Sequence, residues 1–265
     1  MLTNTSHPIG IFDSGIGGTS IWNEIQTLLP LEDTIYLADS KHAPYGEKSP
    51  EEILALCIKN TEFLIANNCK LIVVACNTAT TNAIQYLRKN YAIPFIGIEP
   101  AIKLAALQTL SNTIGVLATK GTLSSALFTE TAAKIDEKIT LVEQVGEGLV
   151  TLIEQGQLNS SATTALLHTY LQPMLAQQID CLVLGCTHYP YLIPQIQQIV
   201  GAHVQIIDSG AAVAKQTKAV LERHQIQAIG TTQGSHQMYS NANTATLQNL
   251  LATHPAQLII QQQDF

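Results

Sequence analysis

The feature that most constrains this chain is a rhythm: a short apolar run, a loop, then a helical stretch, repeated along its length. The runs Ile9–Phe12, Thr34–Ala38, Leu71–Ala75, Phe95–Ile98, Ile114–Leu117, Leu182–Gly185 and Gln205–Ile207 are each strand-length. Several are β-branched and apolar at every position, without the alternation of a half-exposed strand. A strand of that kind is covered on both faces, which is the situation of a parallel strand between two helical layers. The clearest helix start is Ser49-Pro50-Glu51-Glu52. Serine caps, proline suits the first helical position, and Glu52 completes a capping box. The expected architecture is parallel α/β. A hydrophobic fraction of 46% over 265 residues supplies the core this needs, and only 12% charged residues argue against disorder.

The chain also echoes itself. Leu71-Ile72-Val73-Val74-Ala75-Cys76-Asn77-Thr78 has the pattern of Cys181-Leu182-Val183-Leu184-Gly185-Cys186-Thr187-His188. Each is an apolar strand ending in a small residue, then cysteine, then threonine within two positions. A weaker echo links Phe12-Asp13-Ser14-Gly15 with Ile207-Asp208-Ser209-Gly210. The separation is too wide for a solenoid period. It predicts two related α/β halves, each bringing one cysteine to the carboxyl edge of its sheet, where open α/β sheets bind ligands. Pro100 ends a strand and helix reads from Ala101, so the chain is expected to cross between halves there and return near Asp208. The domains are then 1–98 plus 209–265, carrying Cys76, and 99–208, carrying Cys186.

A cysteine at a strand end ahead of a helix meets backbone N–H groups and the positive end of a helix dipole, which lower a thiol pKa from about 8.5. The plainer reading is a small buried hydrophobe; two matching segments tip the balance toward chemistry. Cys57 shares a helical stripe with Ile53 and Leu64, Cys69 lies in a polar turn, and Cys181 opens a strand at the end away from the cleft. These three are read as structural. Five cysteines without a CxxC pair are expected to be free thiols in a reducing compartment.

The segment Asp13-Ser14-Gly15-Ile16-Gly17-Gly18 follows a strand and precedes a helix, and its glycines allow close backbone approach to an anion. Position 20 is Ser where a dinucleotide fingerprint needs Gly, and no Gly-Lys-Ser/Thr follows. A small carboxylate fits better than a nucleotide; a tight turn capped by Asp13 is the alternative. His188 reads either as a proton partner for Cys186 or as a side chain satisfying a loop carbonyl. Cys76, Cys186 and His188 match no standard zinc spacing. Pro44-Tyr45-Gly46 is a rigid turn, either a cleft wall or an ordinary loop.

The formal net charge of −7, from 13 Lys+Arg against 20 Asp+Glu, comes with no basic cluster. Nucleic acid is not expected as the main ligand. The start MLTNTSHPIGIF lacks the basic and long apolar regions of a signal peptide, and runs such as LIVVAC are too short to span a bilayer. The expected compartment is the cytoplasm.

Seven segments now stand in order: Phe12–Gly18, Asp39 through Pro44-Tyr45-Gly46, Ala75-Cys76-Asn77-Thr78-Ala79, Gly97-Ile98-Glu99-Pro100-Ala101, Ala118-Thr119-Lys120-Gly121-Thr122, Leu184 through Pro190, and Ile207-Asp208-Ser209. With them the chain resembles the glutamate racemases of bacterial cell-wall synthesis over nearly its whole length. The resemblance implies two pseudo-symmetric parallel-sheet α/β domains with the active site in the cleft between them. It implies cofactor-independent interconversion of L- and D-glutamate, supplying D-glutamate for peptidoglycan, with Cys76 and Cys186 as the two bases and no metal. Asp13 would support Cys76; His188 and Glu154 would support Cys186. Substrate contacts would come from Asp13, Ser14, Pro44, Tyr45, Gly46, Cys76, Asn77, Thr78, Thr119, Thr122, Cys186, Thr187 and His188. Glutamate is the implied small-molecule partner, no membrane is involved, and a homodimer is compatible with the resemblance. The stretch Val145–Glu154 departs from the family's Cys-Pro-containing pattern, although Glu154 itself is present, and the tail after Glu222 matches poorly. Three other readings remain: an aspartate racemase or maleate-type isomerase, a cysteine hydrolase or transferase, and a non-catalytic amino-acid-binding protein.

Overall fold

The computed structural model describes residues 5–265. Residues 1–4, which open the first domain range and the N-terminal stretch read above as no signal peptide, lie outside the described residues. Among the described residues, ten strands form two sheets, and every pairing is parallel. The first four strands are β1 (Ile9–Asp13), β2 (Thr34–Ala38), β3 (Leu71–Val74) and β4 (Phe95–Gly97). Next come β5 (Thr113–Ala118), β6 (Thr140–Val145), β7 (Cys181–Gly185) and β8 (Gln205–Ile207). The chain then adds β9 (His236–Ser240) and β10 (Leu258–Gln262). One sheet runs β10-β9-β2-β1-β3-β4 and the other β6-β5-β7-β8. The protein is therefore built of two parallel-sheet α/β domains.

The apolar runs become strands because both their faces are buried: every residue of β1, β2, β3 and β7 is buried. Each fully buried Ile, Leu or Val stabilises by about 1.5–3 kcal/mol relative to exposure. The helix Pro50–Ala66 begins as its sequence dictates, with the Ser49 hydroxyl accepting from Glu52 N–H at 3.2 Å and Ser49 N–H donating to the Glu52 carboxylate at 2.9 Å.

Three strands carry no such signature. In β6 the only buried residue is Val142, and β10 is wholly half-buried or exposed. Both are edge strands, so few positions need be apolar. β9 alternates buried and half-buried residues, with His236, Met238 and Ser240 inward. Cys69 directly follows the turn at Asn67 and Asn68, but its side chain points inward: it is buried, and a Cβ on Gly10 would stand 3.0 Å from its sulfur. One apolar cluster runs continuously from Trp22, Ile25 and Val73 to Leu149, Ile153 and Tyr189, so the two sheets share a core. Among the described residues, no helix is long and apolar enough to cross a membrane.

Candidate active site

Cys76 follows β3 and caps the helix Asn77–Asn90; its sulfur accepts from Ala79 N–H at 3.5 Å and lies 3.6 Å from Ser14 Oγ. Cys186 follows β7 in the other sheet, ahead of a 3-10 turn at Tyr189–Leu192 instead of an α-helix. Its sulfur is 3.7 Å from His188 Nδ1. The matching sequences thus place the two thiols at matching strand ends but support them differently. Both are nearly enclosed, at 5% and 7% exposure, and both line one small cavity with about 250 Å³ of free space. Past Pro44 and Val150 this cavity opens into a wider hollow of about 570 Å³, rimmed by Glu47, Lys120, Gly146 and Thr151.

Behind Cys186 lies a chain of hydrogen-bond contacts. His188 Nε2 is 2.6 Å from Glu154 Oε1, which also accepts from Ile16 N–H at 2.7 Å, while Glu154 Oε2 accepts from Ser40 Oγ at 2.8 Å. Gly17 N–H also lies 3.2 Å from His188 Nε2. It can donate there only when that nitrogen carries no proton; the shorter contact to a carboxylate places a proton on Nε2. Burial disfavours an imidazolium, yet the contacts from Cys186 and Glu154 outweigh it and hold His188 well above its ordinary pKa. Burial likewise pushes the Glu154 carboxyl up, but the His188 hydrogen bond and charge, with Ile16 N–H and Ser40, bring it below its ordinary range. The pair is a buried imidazole–carboxylate contact.

Asp13 occupies the Cys76 side. It is fully buried; Oδ2 accepts from Gly18 N–H at 2.7 Å and Oδ1 from the Thr187 hydroxyl at 3.4 Å. Burial raises its pKa, against the opposing pull of His188 and Gly18. Cys76 is pushed well above the ordinary thiol range, first by burial and then by Asp13, despite Ala79 N–H and Ser14. This corrects the sequence expectation of a lowered thiol there: one weak N–H···S contact at a helix start does not offset full enclosure beside a carboxyl group.

Most of the expected substrate contacts reach the cavity. Ser14, Pro44, Tyr45 and Gly46 form one wall, Asn77, Thr78 and Thr119 another, and Thr187 and His188 flank Cys186. Asp13 and Thr122 do not line it: both are fully buried behind it. Thr122 instead meets Thr78 and Thr119, whose hydroxyls lie 3.3 and 3.0 Å from its own. Glu154 is set back from this cavity and faces a neighbouring hollow with Ile16, Ser40 and Thr246. The glycine loop also departs from expectation as an anion cradle, because Ile16 and Gly18 N–H already serve Glu154 and Asp13. The carboxylates it holds are the protein's own.

Sequence reasoning did not find Ser40, Val150 or Gly185 as site residues. Ser40 meets a partner 114 residues away, which no local pattern announces. Asp39 is likewise a buried hub, contacting His42 Nδ1 at 2.6 Å, the Tyr45 hydroxyl and the Asn241 amide, and so anchors the Pro44–Gly46 wall.

Two thiols brought from separate parallel sheets to one small cavity, each with its own carboxylate-bearing support, define a class: two-domain α/β proteins with a paired-cysteine cleft. The chain belongs to the Asp/Glu/hydantoin racemase family, whose model matches residues 19–217. A glutamate racemase of Ectopseudomonas mendocina is 44% identical over 251 residues, covering 94% of this chain and 95% of that one. A glutamate racemase of Ralstonia nicotianae is 44% identical over 252 residues, covering 95% and 91%. Among solved structures, a glutamate racemase isoform from Bacillus anthracis superimposes with a TM-score of 0.88 at 30% identity, covering 99% of both chains. Escherichia coli glutamate racemase, solved with L-glutamate and UDP-MurNAc-ala, gives 0.85 at 31% identity, covering 97% of this chain and 98% of that one. An aspartate racemase from Picrophilus torridus, at 17% identity and a TM-score of 0.55, shares the fold alone.

Proposed function

We propose that this chain is a cofactor-independent glutamate racemase in which Cys76 and Cys186 act as the two bases. The observation that carries the reading is that both sulfurs line one small cavity while belonging to different sheets. Inversion needs a proton removed from one face of Cα and returned to the other, which a single base beside a fixed substrate cannot do. One sulfur, as thiolate, takes the α-proton; the other, as thiol, delivers its own to the opposite face, and the roles exchange in the reverse direction. Burial and Asp13 favour the thiol form of Cys76, which suits it to the donor role.

The α-proton is a far weaker acid than a thiol. A gap of roughly ten pKa units corresponds to about 14 kcal/mol at 1.36 per unit. Donors fixed on the carboxylate as it gains charge, in a largely buried site, supply much of that. Asn77 Nδ2 is buried in the cavity wall with no hydrogen-bond partner among the described residues, so a ligand acceptor there removes a desolvation cost that the free protein bears. Thr78 and Thr119, whose hydroxyls are 2.8 Å apart, bring a second donor pair from the two domains.

The reading extends to a domain division of 1–98 plus 209–265 against 99–208, a cytoplasmic location, and supply of D-glutamate to peptidoglycan. A homodimer is tested by a solution mass near twice 28.6 kDa. The deciding experiment incubates D-glutamate in heavy water with the wild type, Cys76→Ala and Cys186→Ala, following inversion by circular dichroism and α-deuteration by NMR. Both variants are expected to lose inversion. Full activity in Cys186→Ala, with none in Cys76→Ala, would favour a single-nucleophile hydrolase or transferase. Faster deuteration of aspartate than of glutamate would transfer the reading to aspartate.

A further inference from the structure

The loop Gly15-Ile16-Gly17-Gly18, between β1 and the helix Thr19–Leu28, contains three glycines that backbone conformation does not explain. The glycines with left-handed φ are 148, 156, 201 and 230, none of them in this loop. What the loop demands is space. A Cβ on Gly15 would stand 1.9 Å from Glu154 Oε1, and one on Gly17 2.2 Å from His188 Nδ1. A Cβ on Gly18 would stand 2.7 Å from the Cβ of Asp13 and 2.9 Å from the Tyr36 hydroxyl. The same backbone hydrogen-bonds what it crowds, through Ile16 N–H to Glu154 and Gly18 N–H to Asp13, each 2.7 Å. Within four residues, one surface of the first sheet's half touches the acid–base support of both cysteines.

We propose that this loop is a positioning element for the two proton-transfer sides: Gly15 to Gly17 seat the His188–Glu154 pair behind Cys186, and Gly18 seats Asp13 beside Cys76. The inference rests on the two-cysteine reading above. Glu154 and His188 extend from the second sheet's half, so the loop also registers the two halves against each other. The bare backbone lets these groups come within hydrogen-bond distance; a methyl group at any of the three positions must displace one of them. Since misplacing a reacting group by about 1 Å can cost 10²-fold in rate, each displacement is readable in the kinetics.

The test uses Gly15→Ala, Gly17→Ala and Gly18→Ala in the full chain, with folding verified by thermal melting. Gly15→Ala is the mildest, because its collision is with the end of a flexible side chain. The enantiomers have equal free energy, so kcat/KM must fall equally in both directions; a drop of roughly 10- to 100-fold is expected. The discriminating readout is the kinetic isotope effect on kcat/KM for α-deuterated D- and L-glutamate. Slowing the Cys186 step raises the effect for the enantiomer whose proton goes to Cys186 and lowers it for the other. Gly15→Ala and Gly17→Ala should share one sign pattern, and Gly18→Ala should show the opposite. Should Gly18→Ala not fold, the other two decide alone, since their two isotope effects must move in opposite directions. Effects that move together, or stay at wild-type values in folded Gly15→Ala, overturn the proposal. A wild-type protein that exchanges no α-hydrogen with solvent overturns both this and the two-cysteine reading; normal exchange with unmoved isotope effects overturns the loop alone.

Discussion

Glu154→Gln isolates the charge opposite His188. In the wild type, Oε1 takes the His188 and Ile16 contacts and Oε2 takes Ser40. A glutamine placed with its oxygen at Oε1 and its amide nitrogen at Oε2 keeps Ile16 as donor and lets Ser40 turn to accept. What disappears is the negative charge. A hydrogen bond to a charged partner contributes about 1.5–3 kcal/mol and a neutral one about 0.5–1.5, so the loss is about 1–2 kcal/mol. At 1.36 kcal/mol per unit, the His188 pKa should fall by about one unit. NMR titration of the imidazole would read this directly, and the pH limb of kcat that follows His188 should move down by the same amount. Stability has a defined sign as well. A raised histidine pKa stabilises fully below the unfolded value of 6.5 and loses that contribution as pH rises through the folded value. The lowered Glu154 contributes above its ordinary 4.5 and loses it as pH falls. The melting-temperature gap between wild type and variant should therefore peak between pH 4.5 and 6.5. An unmoved imidazole titration, with kcat within about twofold of wild type, would refute a functional His188–Glu154 contact, because that corresponds to under ~0.5 kcal/mol.

Other outcomes follow from single contacts. Asn77→Ala removes a buried donor in the cavity wall, and kcat/KM for glutamate should fall by about 1–3 kcal/mol, or ~5- to 150-fold, with no fall in the melting temperature of the free protein. Burial pushes the Cys69 thiol up to about 12 from 9.0, so unfolding releases its proton earlier as pH rises. Its contribution is whole below pH 9 and declines above it, by about 1.4 kcal/mol at pH 10, and urea unfolding of Cys69→Ala should show a correspondingly shallower alkaline loss. Asp180 accepts from Thr109, Leu110 and Ser111, which bring its pKa to about 2 although burial opposes them. Asp180→Asn should leave turnover unchanged, and the melting advantage of the wild type should vanish as pH falls from 3.8 toward 2.

The parts legible beforehand were those written locally. The short, mostly apolar runs became β1 to β5, β7 and β8, within about one residue at each end. Their neighbours β6 and β10 escaped because an edge strand buries little, and β9 because polar groups at positions 236 and 240 fill its inward sites. His236 fits there by meeting the Thr34 hydroxyl at 2.9 Å, a pairing of residues 202 positions apart. The resemblance named Glu154 although its surrounding stretch departs from the family pattern. Its partners Ile16, Ser40 and His188 come from three separate segments and meet only when both sheets have formed.

By itself, the amino-acid order determined the α/β class, the doubled strand–cysteine segments and the edge at which each thiol emerges, because hydrophobic period and strand-to-helix turns act over a few residues. Tertiary structure alone decided the chemical inequality of the two sides. Cys76 and Cys186 begin as near-copies in sequence, yet one is enclosed beside Asp13 and the other faces an imidazole backed by a carboxylate. Acidity depends on the charges and solvent within a few ångströms of a group, and those neighbours arrive from distant parts of the chain.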